Sequence, residues 1–371
     1  MVIAAHIHSP GLQASQLLQS LRFLAAQHTD TDFIIFTNDT GFPEALPSNI
    51  KFMPVQPALK SNLRLHYWYH YRLPSLLKKL QAGIFISDTG ITNTRIKVPA
   101  WLWIGHTGFL QKKTTVPSQA DRYLRKYFPQ FLQAATGILL KEDFMKEQLL
   151  QTYPAAAGKC FVAGQYLDEI FHPMDEEHKT TLLEKLSDGT EYYYCACTPY
   201  TKDNITTVLK AFSLFKKRLK SSLKLVLHLK GVSLEDCVQE FRLYKYRQDV
   251  IIADHTTAFS AASLMAASYA VIHLPAELNG LEQTGIAAFA SGVPLITIAG
   301  AADHLPYKDA ALFSKMTDIS IADHMMMLYK DEELRKEYIS KGLQAESMYT
   351  LPAVADRLWQ TILPSLPEKA Q

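Results

Sequence analysis

A chain of 371 residues, 48% hydrophobic and 20% charged, has globular composition and is too long for one ordinary core, so two domains are expected. The formal net charge of +2 excludes a global field for nucleic acid, and no apolar run approaches a membrane span. The opening MVIAAHIHSP lacks a basic, long-apolar leader pattern, so a cytoplasmic location is expected.

The first element is a strand pattern, VIAAHI from Val2, followed by helical spacing in SQLLQSLRFLAAQ. FIIFT from Phe33 and KFMPV read as strands, LPSLLKKLQ as a helix, and GIFIS, WLWIGH from Trp101, GILLK from Gly137 and KCFVAG from Lys159 as further strands. Between them, Tyr123, Tyr127 and Phe131 recur at helical spacing, the ordinary mark of a packed face, and Pro129 is expected to break or kink that helix. Arg122, Arg125 and Lys126 beside them leave peripheral contact with the inner membrane face open. Pro173 and the charge cluster of LDEIFHPMDEE mark a linker. YYYCAC, LKLVLHLK, DVIIAD, YAVIHL and PLITIA then repeat the theme, with helix-like sequence between them.

Strands alternating with helices imply parallel sheets covered on both faces. The expected fold is α/β, with two doubly wound, Rossmann-like domains facing a cleft and ligands at the strand carboxyl ends. Their expected spans are 1–172 and 173–352, with a helix at about 353–371 packing back on the first. Cys195-Ala-Cys197 alternates within a strand, which reads as buried thiols and not a metal or redox pair. Asp30-Thr31-Asp32 has a metal-binding spacing but sits in a polar connection, where a solvated turn is the better reading. His6 and His8 share one strand face, and a structural role is expected for them.

The segment from Ser268 to Pro306, SYAVIHLPAELNGLEQTGIAAFASGVPLITIAGAADHLP, carries a strand, a polar loop, a small-residue helix and a second strand. It resembles the donor-binding segment of bacterial family 4 glycosyltransferases of the GT-B fold. WYHYRLPSLLKKLQAGIFISDTG, RYLRKYFPQFLQAATGILLKEDFMKEQL and NITTVLKAFSLFKKR extend that resemblance through both halves, and DAALF and MLYKDEELRKEYISKGL resemble the family's terminal helices.

The resemblance implies sugar transfer from a nucleotide-sugar to a glycan or lipid-linked acceptor, in polysaccharide biosynthesis, without metal or other cofactor. It also shows where this chain departs from the pattern. The two donor-site glutamates, seven residues apart, align with Asn279 and Ala287. Starting instead from Glu277, the family spacing lands on Gly285, so no change of register restores the pair. The glycine ending the first strand of the second half becomes Cys197, and the basic pair becomes Lys202-Asp203. A carboxylate beside a diphosphate is repulsive. The next strand ends His228-Leu229-Lys230, keeping the cation, while Asp254 and Gln165-Tyr166 stand where relatives carry glycine and Asn-Gly. The histidine placed near the acceptor aligns with Gly105, leaving His106 one residue on as the catalytic candidate.

The candidate donor-binding residues are therefore Lys202, Lys230, Asn279, Gly280, Glu282, Thr284 and Gly285. The lysines would neutralise the leaving diphosphate, and the helix beginning near Gln283 would offer free backbone N–H groups. Ala287 accepts no hydrogen bond from a ribose hydroxyl. Two functions remain from the sequence: a transferase with an altered donor site, or a non-catalytic homologue that scaffolds or regulates an active glycosyltransferase partner or binds a glycan.

Overall fold

The computed structural model of the chain describes residues 1–8, 15–38, 46–56, 59, 61–110, 119–198, 201, 204–238, 241–254, 256–275, 283–298 and 308–366. It divides into two compact units, Met1–Tyr166 with Thr350–Gln371, and Leu167–Tyr349.

The first unit runs β1 (Val2–His6), α1 (Gln16–Gln27), β2 (Asp32–Thr37), β3 (Ile50–Pro54), α2 (Asn62–Tyr67), a π-helical turn (Trp68–Arg72), α3 (Leu73–Lys79), β4 (Ile84–Ser87) and β5 (Ala100–Ile104). It continues through α4 (Gln119–Ala134), β6 (Gly137–Leu140), α5 (Asp143–Thr152) and β7 (Cys160–Val162). The seven strands form one sheet in the order β3-β2-β1-β4-β5-β6-β7, every pairing parallel. Period-two alternation divides each strand between two cores. Ala4 and Phe85 pack under α3 and α4 with Trp68, Leu73 and Phe128, while Ile3, Ala5 and Ile86 face α1 on the other side.

The second unit holds α6 (Glu176–Ser187), β8 (Tyr192–Cys197), α7 (Ile205–Leu219), β9 (Lys224–Leu229), α8 (Leu234–Cys237), β10 (Val250–Ala253), α9 (Ala261–Ala266), β11 (Ala270–Ile272) and α10 (Gln283–Ala290). After it come β12 (Leu295–Ile298), β13 (Ala311–Ser314), α11 (Asp318–Lys330) and α12 (Glu332–Glu346). Its parallel sheet has the order β10-β9-β8-β11-β12-β13. Tyr193, Cys195 and Cys197 point to the α7/α11 side, and Tyr192 and Tyr194 to the face that holds Leu264, Ile286 and Phe289. The two cysteines are buried thiols.

The last helix, α13 (Leu351–Ile362), belongs to the first unit. Val354, Ala355, Leu358 and Ile362 are buried against the α1 face, and Trp359 stacks on His28 at 3.8 Å between ring centroids. The first boundary falls at Tyr166/Leu167, ahead of the expected 172/173. Leu167 N–H donates to the Tyr349 carbonyl at 3.0 Å, and Leu167, Phe171 and Met174 pack on the second core.

Two local expectations are corrected. DAALF is not helical: Ala311–Ser314 is the edge strand β13, paired with β12 in register Leu295↔Ala311. Four apolar residues carry too little periodicity to separate strand from helix. Pro129 does not break α4, which runs through it. Pro129 is exposed, so water can satisfy the Arg125 carbonyl that loses its N–H partner. Tyr123 and Phe131, on the opposite face, are buried in the core as their spacing implied.

Candidate functional site

Both sheets reverse winding once, between β1 and β4 in the first unit and between β8 and β11 in the second. Crevices at such switch points, outside the strand carboxyl ends, are where doubly wound sheets take ligands. In the first unit this place holds a cavity of about 490 Å³. Its wall combines Asp88 and Thr89 after β4, Gly105 and His106 after β5, His8 after β1, and the apolar Trp103, Phe109 and Leu124. That mixture of a few convergent polar groups on an apolar lining is the ordinary make-up of a small-molecule site.

A buried polar network lies beside the cavity. The Tyr69 hydroxyl is 2.6 Å from His6 Nδ1, 3.2 Å from the Ser87 hydroxyl and 2.5 Å from that of Thr89, and Ser87 and Thr89 are 2.9 Å apart. Tyr69 is held in turn by Asn93, whose side-chain N–H donates to the Tyr69 carbonyl. The Asp88 carboxylate accepts the His8 backbone N–H at 3.0 and 2.9 Å, fastening the segment after β1 to the loop after β4. Burial, with His8 nearby, pushes the His6 pKa down to about 3, so its imidazole is neutral at pH 7. Burial also lowers that of His8. His6 is therefore structural, and His8 reaches the cavity.

His106 is exposed and lines this cavity. β5 ends at Ile104, so strand alternation does not set the direction of His106, and the displacement by one residue does not turn it away. On the other flank, Lys141 follows β6, its Nζ 4.0 Å from the point a Gly105 Cβ would occupy. Burial lowers its pKa, opposed by the neighbouring Glu142. Thr107 donates its hydroxyl proton to the Gln148 side chain, tying the loop after β5 to α5. Asp88, Thr89 and Lys141 were not singled out in the sequence. They stand one or two residues beyond strand ends, the one positional signal that would have found them.

In the second unit, Lys230 follows β9 at the sheet's carboxyl edge, its N–H donating to the Cys197 carbonyl at 2.8 Å. The residue is exposed, yet enough protein surrounds the ammonium for burial to lower its pKa. α10 begins at Gln283 after β11, with Thr284 half-buried and Gly285 buried in its first turn. β9 and β11 flank β8, so both features follow neighbouring parts of the same sheet. Lys202, Asn279, Gly280 and Glu282, with Asp203 and Glu277, lie outside the described residues.

The positions that depart from the expected donor pattern do structural work. Ala287 is 2% exposed and sits in the apolar cluster with Leu264 and Ile286, while Cys197 and Leu229 are buried on the other face. Asp254 accepts from Thr256 N–H and hydroxyl, closing a turn. The Tyr166 carbonyl accepts from the Gln16 side chain. Asn204 donates to the Leu274 and Pro275 carbonyls, anchoring the start of α7 to the loop after β11. Asp32 of the Asp-x-Asp spacing starts β2 and pairs with Lys51 at 3.6 Å. Among the described residues no group of three or more His, Cys, Asp or Glu is placed to hold a metal, and no helix is long and apolar enough to cross a membrane.

Solved structures match this fold over nearly their whole length. A glycosyltransferase from Rickettsia africae superposes with TM-score 0.74 at 12% identity, covering 99% of each chain. The fold is GT-B. Anabaena HepE in complex with UDP gives a TM-score of 0.71 at 13% identity, covering 98% of this chain and 100% of that one. WaaG, a glycosyltransferase of lipopolysaccharide biosynthesis, gives 0.64 at 13%, covering 97% and 99%. No family model and no curated relative matches the chain. This GT-B chain is thus divergent, at 12–13% identity to these neighbours.

Proposed function

We propose that this chain is a glycosyltransferase that moves a sugar from a nucleotide-sugar to a glycan or lipid-linked acceptor, with a donor site rebuilt without the two family 4 glutamates. The observation that carries the reading is the cavity at the first switch point, lined by Asp88, Thr89, His106 and Trp103. Hydroxyl-rich rings with apolar faces suit such a wall: carboxylate and hydroxyl groups take the ring hydroxyls, and the indole takes a C–H face. On this assignment the first unit takes the acceptor, and His106 is the group there able to exchange a proton. In the second unit, Lys230 and the α10 N-terminus supply positive potential for a diphosphate. Both are what the chemistry asks of a donor side: departure of a nucleoside diphosphate builds negative charge that fixed donors stabilise.

A second reading has its own support. Ala287 is packed in the core where the family carries a ribose-binding carboxylate, and such a position has no room to regain one. It favours a non-catalytic homologue that binds a glycan or supports an active partner. The two readings separate in a release assay. Incubation with UDP- and GDP-sugars and a panel of oligosaccharide acceptors is expected to yield the free nucleoside diphosphate and a glycosylated product. Saccharide binding without release across the panel would select the non-catalytic protein.

A further inference from the structure

α2 buries none of its own residues. Its continuation, the π-helical turn Trp68–Arg72, is fixed from below by Trp68 and Tyr69, both essentially fully buried. The outward face of these two turns carries pairs four residues apart. His66 and His70 place their ring centroids 3.8 Å apart at 34°, and Tyr67 and Tyr71 theirs 5.9 Å apart at 25°. His66 is exposed and His70 half-buried.

Two histidines at this spacing on one helical face form the bidentate half of many transition-metal sites. Two imidazole nitrogens, each about 2.0–2.1 Å from a shared ion, stand roughly 3 Å from one another. Rings already as close as these reach that separation by side-chain rotation alone. The buried Trp68 and Tyr69 hold the backbone between them, so the pair is ordered before any ion arrives. We propose that His66 and His70 form a binding site for a late first-row divalent cation such as Zn²⁺, Ni²⁺ or Cu²⁺, with water completing the coordination. Imidazole ligands suit these ions and not Mg²⁺ or Ca²⁺. Arg95 lies 4.5 Å over the Tyr71 ring, and its charge opposes the incoming cation, which limits the affinity.

The site has a structural consequence. Ser61, Asn62 and Leu65 contribute to the wall of the first-unit cavity. An ion shared by His66 and His70 staples α2, which has no fully buried residue and meets the core through the partly buried Leu65, to a turn that is anchored. This inference does not depend on the transferase reading, because it concerns an outward face and not the cavity's chemistry.

The test is calorimetric titration of ZnCl₂ alone into the full chain at pH 7.5 in chelator-free buffer. One site is expected that weakens roughly tenfold or more in His66→Ala and in His70→Ala, since either change leaves one tethered ligand in place of two. His178→Ala, which removes an exposed histidine elsewhere, serves as the control and is expected to bind as the unaltered chain does. Circular dichroism confirms that the variants fold. Amide exchange across 62–72 is expected to slow when Zn²⁺ is added to the unaltered chain and not to either variant. Absence of Zn²⁺ binding, or isotherms unchanged in both variants, would overturn the site.

Discussion

The Tyr69 hydroxyl stands 2.6 Å from Nδ1 of His6, a residue 63 positions away in sequence, and both side chains are excluded from solvent. The same oxygen serves Ser87 and Thr89, so one hydroxyl joins the end of β1, the end of β4 and the loop that forms the cavity rim. Tyr69→Phe removes that junction and leaves buried polar groups short of a partner. It is expected to lower unfolding stability by about 1–3 kcal/mol. It is also expected to weaken binding at the cavity, whose Thr89 the hydroxyl holds. Urea unfolding measures the first effect and saccharide titration the second.

Acid sensitivity follows from the same residue. With a folded pKa of about 3 against an ordinary 6.5, His6 stays neutral in the fold while the unfolded chain takes up a proton. His273 behaves alike, burial pushing it down to about 4. The unfolded state therefore binds more protons between pH 6.5 and 3, and stability is full above 6.5 and falls as pH drops through that window. Each such group steepens the loss by up to about 1.4 kcal/mol per pH unit. His6→Asn keeps a polar partner for Tyr69 without a titrating group. Its stability is expected to fall more gently from pH 6.5 to 4 than that of the unaltered chain. Parallel curves would show that His6 does not titrate on unfolding.

Pro129 offers a stabilising change. It lies on the exposed side of α4 and costs the helix one hydrogen bond. A proline in a helix interior is about 3 kcal/mol worse than alanine, while its stiffness restrains the unfolded chain by about 0.4–1 kcal/mol. Pro129→Ala is expected to stabilise by about 2 kcal/mol, read as a raised denaturation midpoint with unchanged m-value.

The α13 interface is a core in its own right. Leu358 is fully buried among Leu17, Leu21 and Leu24 of the first unit's cluster. Leu358→Ala is expected to cost about 2–5 kcal/mol, by lost transfer energy and the cavity left behind. A cost below about 1 kcal/mol in urea unfolding would show that α13 does not fold with the first unit.

The scaffold was legible because it repeats. VIAAHI, FIIFT and YYYCAC are nearly unbroken apolar runs, the pattern of parallel strands covered on both faces, and their residues divide between two cores. β13 escaped because four residues of ALFS carry no period. The site was legible only in part. His106 is a candidate through the resemblance, and the structure places it on the cavity wall. Asp88, Thr89, Lys141 and Tyr69 were not, since their meaning comes from neighbours brought together by strand pairing across 18 to 80 residues. The π-helical turn that aims Tyr69 inward has no sequence signature at all. Ala287 aligns with a ligand position in the resemblance, and in the structure it packs in the apolar core.

On the proposed function, the second unit takes a nucleotide-sugar through Lys230 and the α10 N-terminus. Thermal unfolding with UDP, GDP and their sugars up to millimolar concentration tests it most directly, because a ligand that binds only the folded chain at 100 times its Kd adds about 2.7 kcal/mol. A concentration-dependent rise in Tm is expected with at least one nucleotide, abolished in Lys230→Ala, a change at an exposed position. No rise with any of them would contradict it and leave the non-catalytic reading standing.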